Sequence, residues 1–197
     1  MGRSCVLALA IFAIAGCTAS PSVSTPSPSI DRVENGLPPL TPEETWTRLG
    51  ARPLNLPTYS RGSDCPVSPT AARTPDTSPV AGAGPVYPIG NVIGGYGAAR
   101  ADLRRPAKQA WAASPDFVGP ALIRGRRLDD ATDVYFDGAK PEGELRFPIE
   151  TGVRLPGTQS GWRYLTSLVL VPGIGCYAFQ IDSPDWTITV VMRGEAS

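Results

Sequence analysis

The chain contains no histidine. That removes the commonest general base, the Ser-His-Asp and Cys-His arrangements, and most transition-metal sites. Carboxylates, guanidinium groups and indoles remain. Asp129, Asp130, Asp133 and Asp137 crowd one segment, and a pair of carboxylates flanking a bond serves hydrolases as acid and base. Their spacing does not fit an EF-hand loop, so solvated turn charge is expected there and no metal. Arg124 and Arg126 lie two apart and, on a strand, share a face, where guanidinium forks meet carboxylates or phosphates bidentately. The plainer expectation is a polar outer face paired with the neighbouring aspartates. Trp111, Trp162 and Trp186 suit either an aromatic platform for glycans or peptides or a core, since each buries roughly 150–250 Å². Arg124, Arg126, Trp111 and Trp162 are therefore the candidate ligand-binding residues. No catalytic residue, metal ligand or cofactor is expected: Lys108 and Lys140 sit in no Ser-Lys motif, and the Gly90–Gly97 loop lacks the Gly-Lys-Ser/Thr ending of a phosphate cradle.

The elements carrying these residues read as strands. With 22 prolines and 21 glycines among 197 residues, punctuation is dense and long helices are disfavoured. Thr41-Pro42-Glu43-Glu44 is a capping-box signature with Pro at the first helical position, which predicts one short helix ending at Gly50. Residues 65–68 and 86–89 are predicted strands, 69–84 a long loop, and 98–108 a loop or frayed turn. Strand signals then become regular over 109–113, 121–128, 132–136, 144–149, 162–171, 176–181 and 186–192, the last two joined by the turn Asp182-Ser183-Pro184-Asp185. About eight or nine short strands at this spacing predict a mainly β fold, an Ig-like β-sandwich with one short N-terminal helix.

Charge bounds the partners. Eighteen basic and eighteen acidic residues give a formal net charge of zero, and the arginines are spread along the chain, so nucleic acid is not an expected partner.

The N-terminus carries an address. Arg3 supplies a basic start, Val6 to Ala15 an apolar run too short to span a bilayer, and Ile14-Ala15-Gly16-Cys17 closes it. This run resembles the lipobox of bacterial lipoprotein precursors. The resemblance implies removal of residues 1–16, a thioether-linked diacylglycerol on Cys17, and anchoring at the extracytoplasmic face of the cell membrane. Residues 17–40 then read as a Ser/Thr/Pro-rich tether, the twelve residues from Thr18 to Ser29 alone reaching roughly 35–40 Å in a polyproline-like state. Residues 41–197 form the folded domain. With Cys5 in the signal and Cys17 acylated, Cys65 and Cys176 are left to form a disulfide in an oxidising compartment.

Three further runs resemble a family of lipid-anchored extracytoplasmic bacterial proteins: Trp111 to Pro115, Gly119 to Asp129 and Pro172 to Gln180. The likeness covers roughly residues 50–192 and supplies no activity. The Pro-Gly-x-Gly-x-Tyr approach to the penultimate strand also resembles the end of many immunoglobulin-like domains. The expected function is a non-catalytic, membrane-anchored binding or scaffold module at the cell envelope, held by Cys17 and facing an envelope protein or polymer. The alternative is an envelope hydrolase using loop carboxylates.

Overall fold

The computed structural model describes residues 39–74, 79–148 and 161–195. The signal, Cys17, the tether as far as residue 38 and Ile149 lie outside the described residues. The chain divides into Met1–Pro39 and Leu40–Ser197, and the second unit is a β-sandwich.

One helix precedes the strands. α1 (Pro42–Gly50) starts with Thr41 as N-cap: the Thr41 amide donates to Glu44 Oε2 at 2.7 Å, and the Glu44 amide donates to Thr41 Oγ1 at 3.3 Å. This reciprocal pair satisfies two donors that a helix start otherwise leaves open. Trp46 and Leu49, three apart, point to the same side and pack on Leu122.

The strands are β1 (Thr70–Arg73), β2 (Pro79–Ala81), β3 (Val86–Pro88), β4 (Val92–Ile93), β5 (Arg105–Ala113), β6 (Ala121–Arg127), β7 (Tyr135–Phe136), β8 (Leu145–Phe147), β9 (Arg163–Val171), β10 (Gly175–Asp182) and β11 (Thr187–Gly194). They form a five-stranded sheet in the order β4-β11-β10-β6-β8, a four-stranded sheet in the order β3-β5-β9-β7, and the small pair β1-β2. Neighbours run antiparallel except β4, which joins β11 in parallel.

Period-two alternation fills the space between the two large sheets. Tyr177, Phe179 and Ile181 of β10 meet Val190 and Met192 of β11, Trp111 and Ala107 of β5, and Val169 and Val171 of β9 in one buried cluster. Trp111 packs edge-on against Phe179 with centroids 5.5 Å apart, and its indole N–H donates to Ser167 Oγ at 3.0 Å. An indole thus enters the core with its polar atom satisfied.

An immunoglobulin-type device closes the β9–β10 corner. The Tyr177 hydroxyl at the start of β10 donates back to Gly173 O at 2.5 Å, which is the tyrosine corner of Ig-like sandwiches. Two departures from that pattern are equally clear. β7 joins the four-stranded sheet before β8 returns to the other, and the disulfide does not bridge the sheets.

Several sequence expectations change. Residues 69–84 contain the β1–β2 pair, whose Thr, Ala and Pro carry no period-two signal. β5 begins at Arg105, inside the stretch expected to be loop, because Arg105 pairs with Val171 and Pro106 with Leu170. Val92–Ile93 makes a short strand in the Gly-rich loop. Residues 65–68 form no strand, although the Ser68 amide still donates to Val191 O at 2.9 Å.

Candidate functional site

The two outer faces of the sandwich are covered to different degrees. On β10 the side chains alternating with the core are Cys176, Ala178, Gln180 and Asp182, and all four are buried. A strap formed by residues 40–68 covers them. α1 lies over Leu122; residues 52–55 cross Gln180 and Asp182; Leu56, Tyr59 and Cys65 pack on Ala178, Val191 and Cys176. The Cys65–Cys176 disulfide, with its Cα atoms 5.5 Å apart, fastens the far end.

Arg124 belongs to this strap. It donates from Nη1 to Gly50 O (2.9 Å) and Arg52 O (2.8 Å), and from Nη2 to Asp182 Oδ2 (2.8 Å). The Asp182 side chain has no exposed surface; Thr187 Oγ1 donates to it at 2.7 Å and Gln180 Nε2 at 3.0 Å. Arg52 completes the clasp by donating to the carbonyls of Ser183 (2.7 Å) and Pro184 (2.8 Å). The buried Asp182 carboxylate is thus paired and hydrogen-bonded on both oxygens, as its desolvation demands, while Arg124 Nε is buried without a hydrogen-bond partner among the described residues.

Arg126 projects from the same face but stays at the surface, 39% exposed, donating to Asp133 Oδ1 at 2.8 Å. Beside it lies a shallow cleft of about 220 Å³ walled by Leu54, Arg124, Gly125, Tyr135, Pro141 and Glu144. The cleft is smaller than the roughly 300–1,000 Å³ of a typical small-molecule site.

The tryptophans are dispersed. Trp111 is 0% exposed, so neither ring face is open to a ligand. Trp186 stacks edge-on with Phe117 at 5.4 Å. Trp162 is partly exposed and lies 6.0 Å from the ring of Tyr87. Of the two readings open for the indoles, the core takes Trp111, with Trp186 packed against it, while Trp162 lies beside Tyr87.

The aspartates are each held by an arginine, Asp129 and Asp130 by the same one. Asp129 Oδ2 accepts from the Cys176 amide at 2.8 Å and lies 3.3 Å from Arg127 Nε; Asp130 accepts from Arg127 Nη1 at 3.0 Å; Asp137 accepts from Arg100 at 2.8 Å. Partial burial pushes the Asp130 carboxyl upward, but hydrogen bonds from Thr132 and the Arg127 charge outweigh it and leave it below the ordinary value. Among the described residues no group of His, Cys, Asp or Glu is arranged to hold a metal.

The outer face of the four-stranded sheet is only partly open: Ala112, Tyr164 and Leu170 on it are buried. Register aligns Tyr87, Ala112 and Tyr164 in one row, Ala110 and Thr166 in the next, and Lys108 and Leu168 beyond. Lys108 and Thr166 are exposed, Leu168 is 41% exposed, and Tyr87 and Trp162 close one end. Sequence reasoning missed Tyr87 because its partner Trp162 is distant in the chain. The signal available was the alternation of Trp162, Tyr164, Thr166 and Leu168, which marks the face opposite Val169 and Val171.

The sequence matches no protein-family model and no curated protein. Among solved structures, a crystal structure from Bacillus anthracis, provisionally described as a lipoprotein, aligns with 12% identity and a TM-score of 0.41 over 72% of this chain and 98% of that one.

Proposed function

We propose that this chain is a lipid-anchored extracytoplasmic protein whose folded part is a non-catalytic binding or scaffold module of the cell envelope. The observation that carries the reading is the Cys65–Cys176 disulfide, because disulfides persist in oxidising compartments and are rare in the cytosol. With that pair consumed, Cys17 in Ile14-Ala15-Gly16-Cys17 is the cysteine available for acylation outside the signal's own Cys5. The engagement of Asp129, Asp130, Asp133 and Asp137 with arginines supports a non-catalytic role. An acid in general acid–base chemistry needs a carboxyl held up near the working pH, and Asp130 is held down.

The test is metabolic labelling with an alkyne-bearing palmitate in a bacterial host, followed by membrane fractionation. Wild-type protein takes up label and sediments with membranes; Cys17→Ser does neither. Label in the Cys17→Ser protein, or none in the wild type, rejects the anchor. Free thiols at Cys65 and Cys176 in native material reject the compartment.

A further inference from the structure

We propose that the cleft beside Arg124 binds an α-aminocarboxylate, a small zwitterion whose carboxylate meets the Arg126 guanidinium and whose ammonium meets the Glu144 carboxylate. This rests on the reading of the folded part as a binding module and supplies its ligand class.

The cleft is a gap in the pairing of one edge of β6. Among the described residues β8 covers that edge from Ala121 to Ile123. Pairing resumes at Arg126, which bridges to Asp133, with the Val134 amide donating to Gly125 O at 2.9 Å. Between these two contacts, alongside Arg124 and Gly125, lies the space of about 220 Å³. A water takes roughly 30 Å³ of the liquid, so the space equals about seven waters. That suits a ligand of about as many non-hydrogen atoms and is too small for a drug-sized one.

The two ends of the cleft carry opposite charge. Leu145 pairs with Ile123, so Glu144 comes level with Arg124, and Arg126 lies two residues farther along β6. Strand geometry then separates the Glu144 and Arg126 backbones by roughly 8 Å. The Glu144 carboxylate lies over Gly50, where a Cβ would sit 2.7 Å from its Oε1. Its side chain is only 19% exposed, yet its ion pair is a loose one, 3.8 Å from Arg146 Nη2. Arg146 is shared with Glu43, which is closer at 3.2 Å, so negative charge is in surplus at this end. At the other end Arg126 commits Nε to Asp133 and, among the described residues, leaves its Nη groups without a protein acceptor. Arg124 is wall and not contact, since its Nη groups are held by Gly50, Arg52 and Asp182.

An α-aminocarboxylate matches this layout. Its adjacent ammonium and carboxylate bridge two charged groups that do not pair with each other, each through a charge-assisted hydrogen bond. Leu54 and Pro141 line the cleft and can take an aliphatic side chain. Other classes fit less well: an anion meets the Glu144 charge, a lone cation meets Arg124 and Arg126, and an apolar molecule strips water from both ends and replaces none of its hydrogen bonds.

The experiment is isothermal titration of the purified full chain with L-alanine, D-alanine, L-valine and γ-glutamylglycine, the last carrying an α-aminocarboxylate as a pendant group. Propionate and alaninamide, each lacking one of the two charges, are the comparison ligands. At least one α-aminocarboxylate binds saturably, and propionate and alaninamide bind at least tenfold more weakly. Glu144→Gln and Arg126→Gln, verified as folded by circular dichroism, each weaken binding at least tenfold, whereas Lys108→Ala, on the other sheet, leaves it unchanged. Binding of γ-glutamylglycine assigns a pendant group as the ligand, and binding of the free amino acids alone assigns a free one. The proposal is overturned if no α-aminocarboxylate binds, if propionate or alaninamide binds as tightly, or if either folded cleft variant binds like the wild type. The ligand series on the wild type stands even where a variant fails to fold. Because the titration needs no acyl chain, its failure leaves the labelling result at Cys17 standing. A ligand chemically consumed during the titration would overturn the non-catalytic reading and keep the site.

Discussion

Arg124 reaches across from β6 to the end of β10 and donates to Asp182 at 2.8 Å, with 12% and 0% of the two side chains exposed. The same guanidinium also holds the carbonyls of Gly50 and Arg52, so a single side chain joins the sheet to the strap. This geometry makes Arg124 part of the architecture, while Arg126, two residues on, stays at the surface.

Asp182→Ala should destabilise the domain by about 3–5 kcal/mol, because it strands a buried guanidinium without its counter-charge. Urea unfolding followed by tryptophan fluorescence measures this. In a cycle with Arg124→Met, the double variant should lose less than the sum of the single losses, since the second change removes the stranded charge. Strict additivity would mean that the two groups are not coupled.

The Cys65–Cys176 crosslink spans 111 residues, so replacing both cysteines by alanine should cost about 4–5 kcal/mol by the chain-entropy account. The loss should be local as well as global. The Asn55 amide, which donates to Gln180 Oε1 at 2.7 Å, reports on the strap and should lose hydrogen-exchange protection before the amides of β11 do. Simultaneous loss at both places would show that strap and sheet open as one unit.

Gly125→Ala is predicted to overpack the core. A Cβ there would sit 2.6 Å from Phe179 Cδ1 and 3.2 Å from Ala178 O, and relief of such contacts typically costs about 1–3 kcal/mol. Thermal unfolding gives the answer, and an unchanged Tm would mean that the Phe179 ring has room to retreat.

Alternation made the core legible in the sequence wherever a strand has one inward and one outward face. Tyr177, Phe179 and Ile181, and likewise Val190 and Met192, announce both their strands and their orientation. The same rule misleads at Gln180 and Asp182. Their polarity reads as solvent exposure, yet they are buried by residues more than 120 positions earlier in the chain, a relationship with no local mark. Arg124 and Arg126 were legible as a same-face pair, but which one the strap would consume was not. Trp111 and Trp162 were equally plausible as ligand residues until register sent one inward and the other out. Tyr177 illustrates a third case: the corner hydroxyl is present, but it follows Cys176 by one residue where an antibody-type pattern places it two before a cysteine, because this cystine serves the strap and not the sheet-to-sheet core.

The tyrosine corner predicts sensitivity to alkali. Tyr177 is fully buried, and burial above all pushes its phenol well above the ordinary value near 10, outweighing the opposing Arg127 charge; Tyr96, whose hydroxyl lies 3.2 Å from the same Gly173 carbonyl, is raised for the same chief reason. In the unfolded chain a tyrosine releases its proton near pH 10, whereas in the folded domain Tyr177 keeps it. Above that pH the unfolded state binds fewer protons, so stability is complete below pH 10 and falls as pH rises through the interval up to the folded value. Tyr177→Phe removes the titrating group and the donor to Gly173. It should cost about 0.5–1.5 kcal/mol at neutral pH and flatten the decline in Tm between pH 10 and 11.5, with Tyr96 accounting for what slope remains. Equal slopes for wild type and variant would place the alkaline transition elsewhere. Absorbance at 295 nm supplies the independent check, since Tyr177 should ionise only as the domain unfolds.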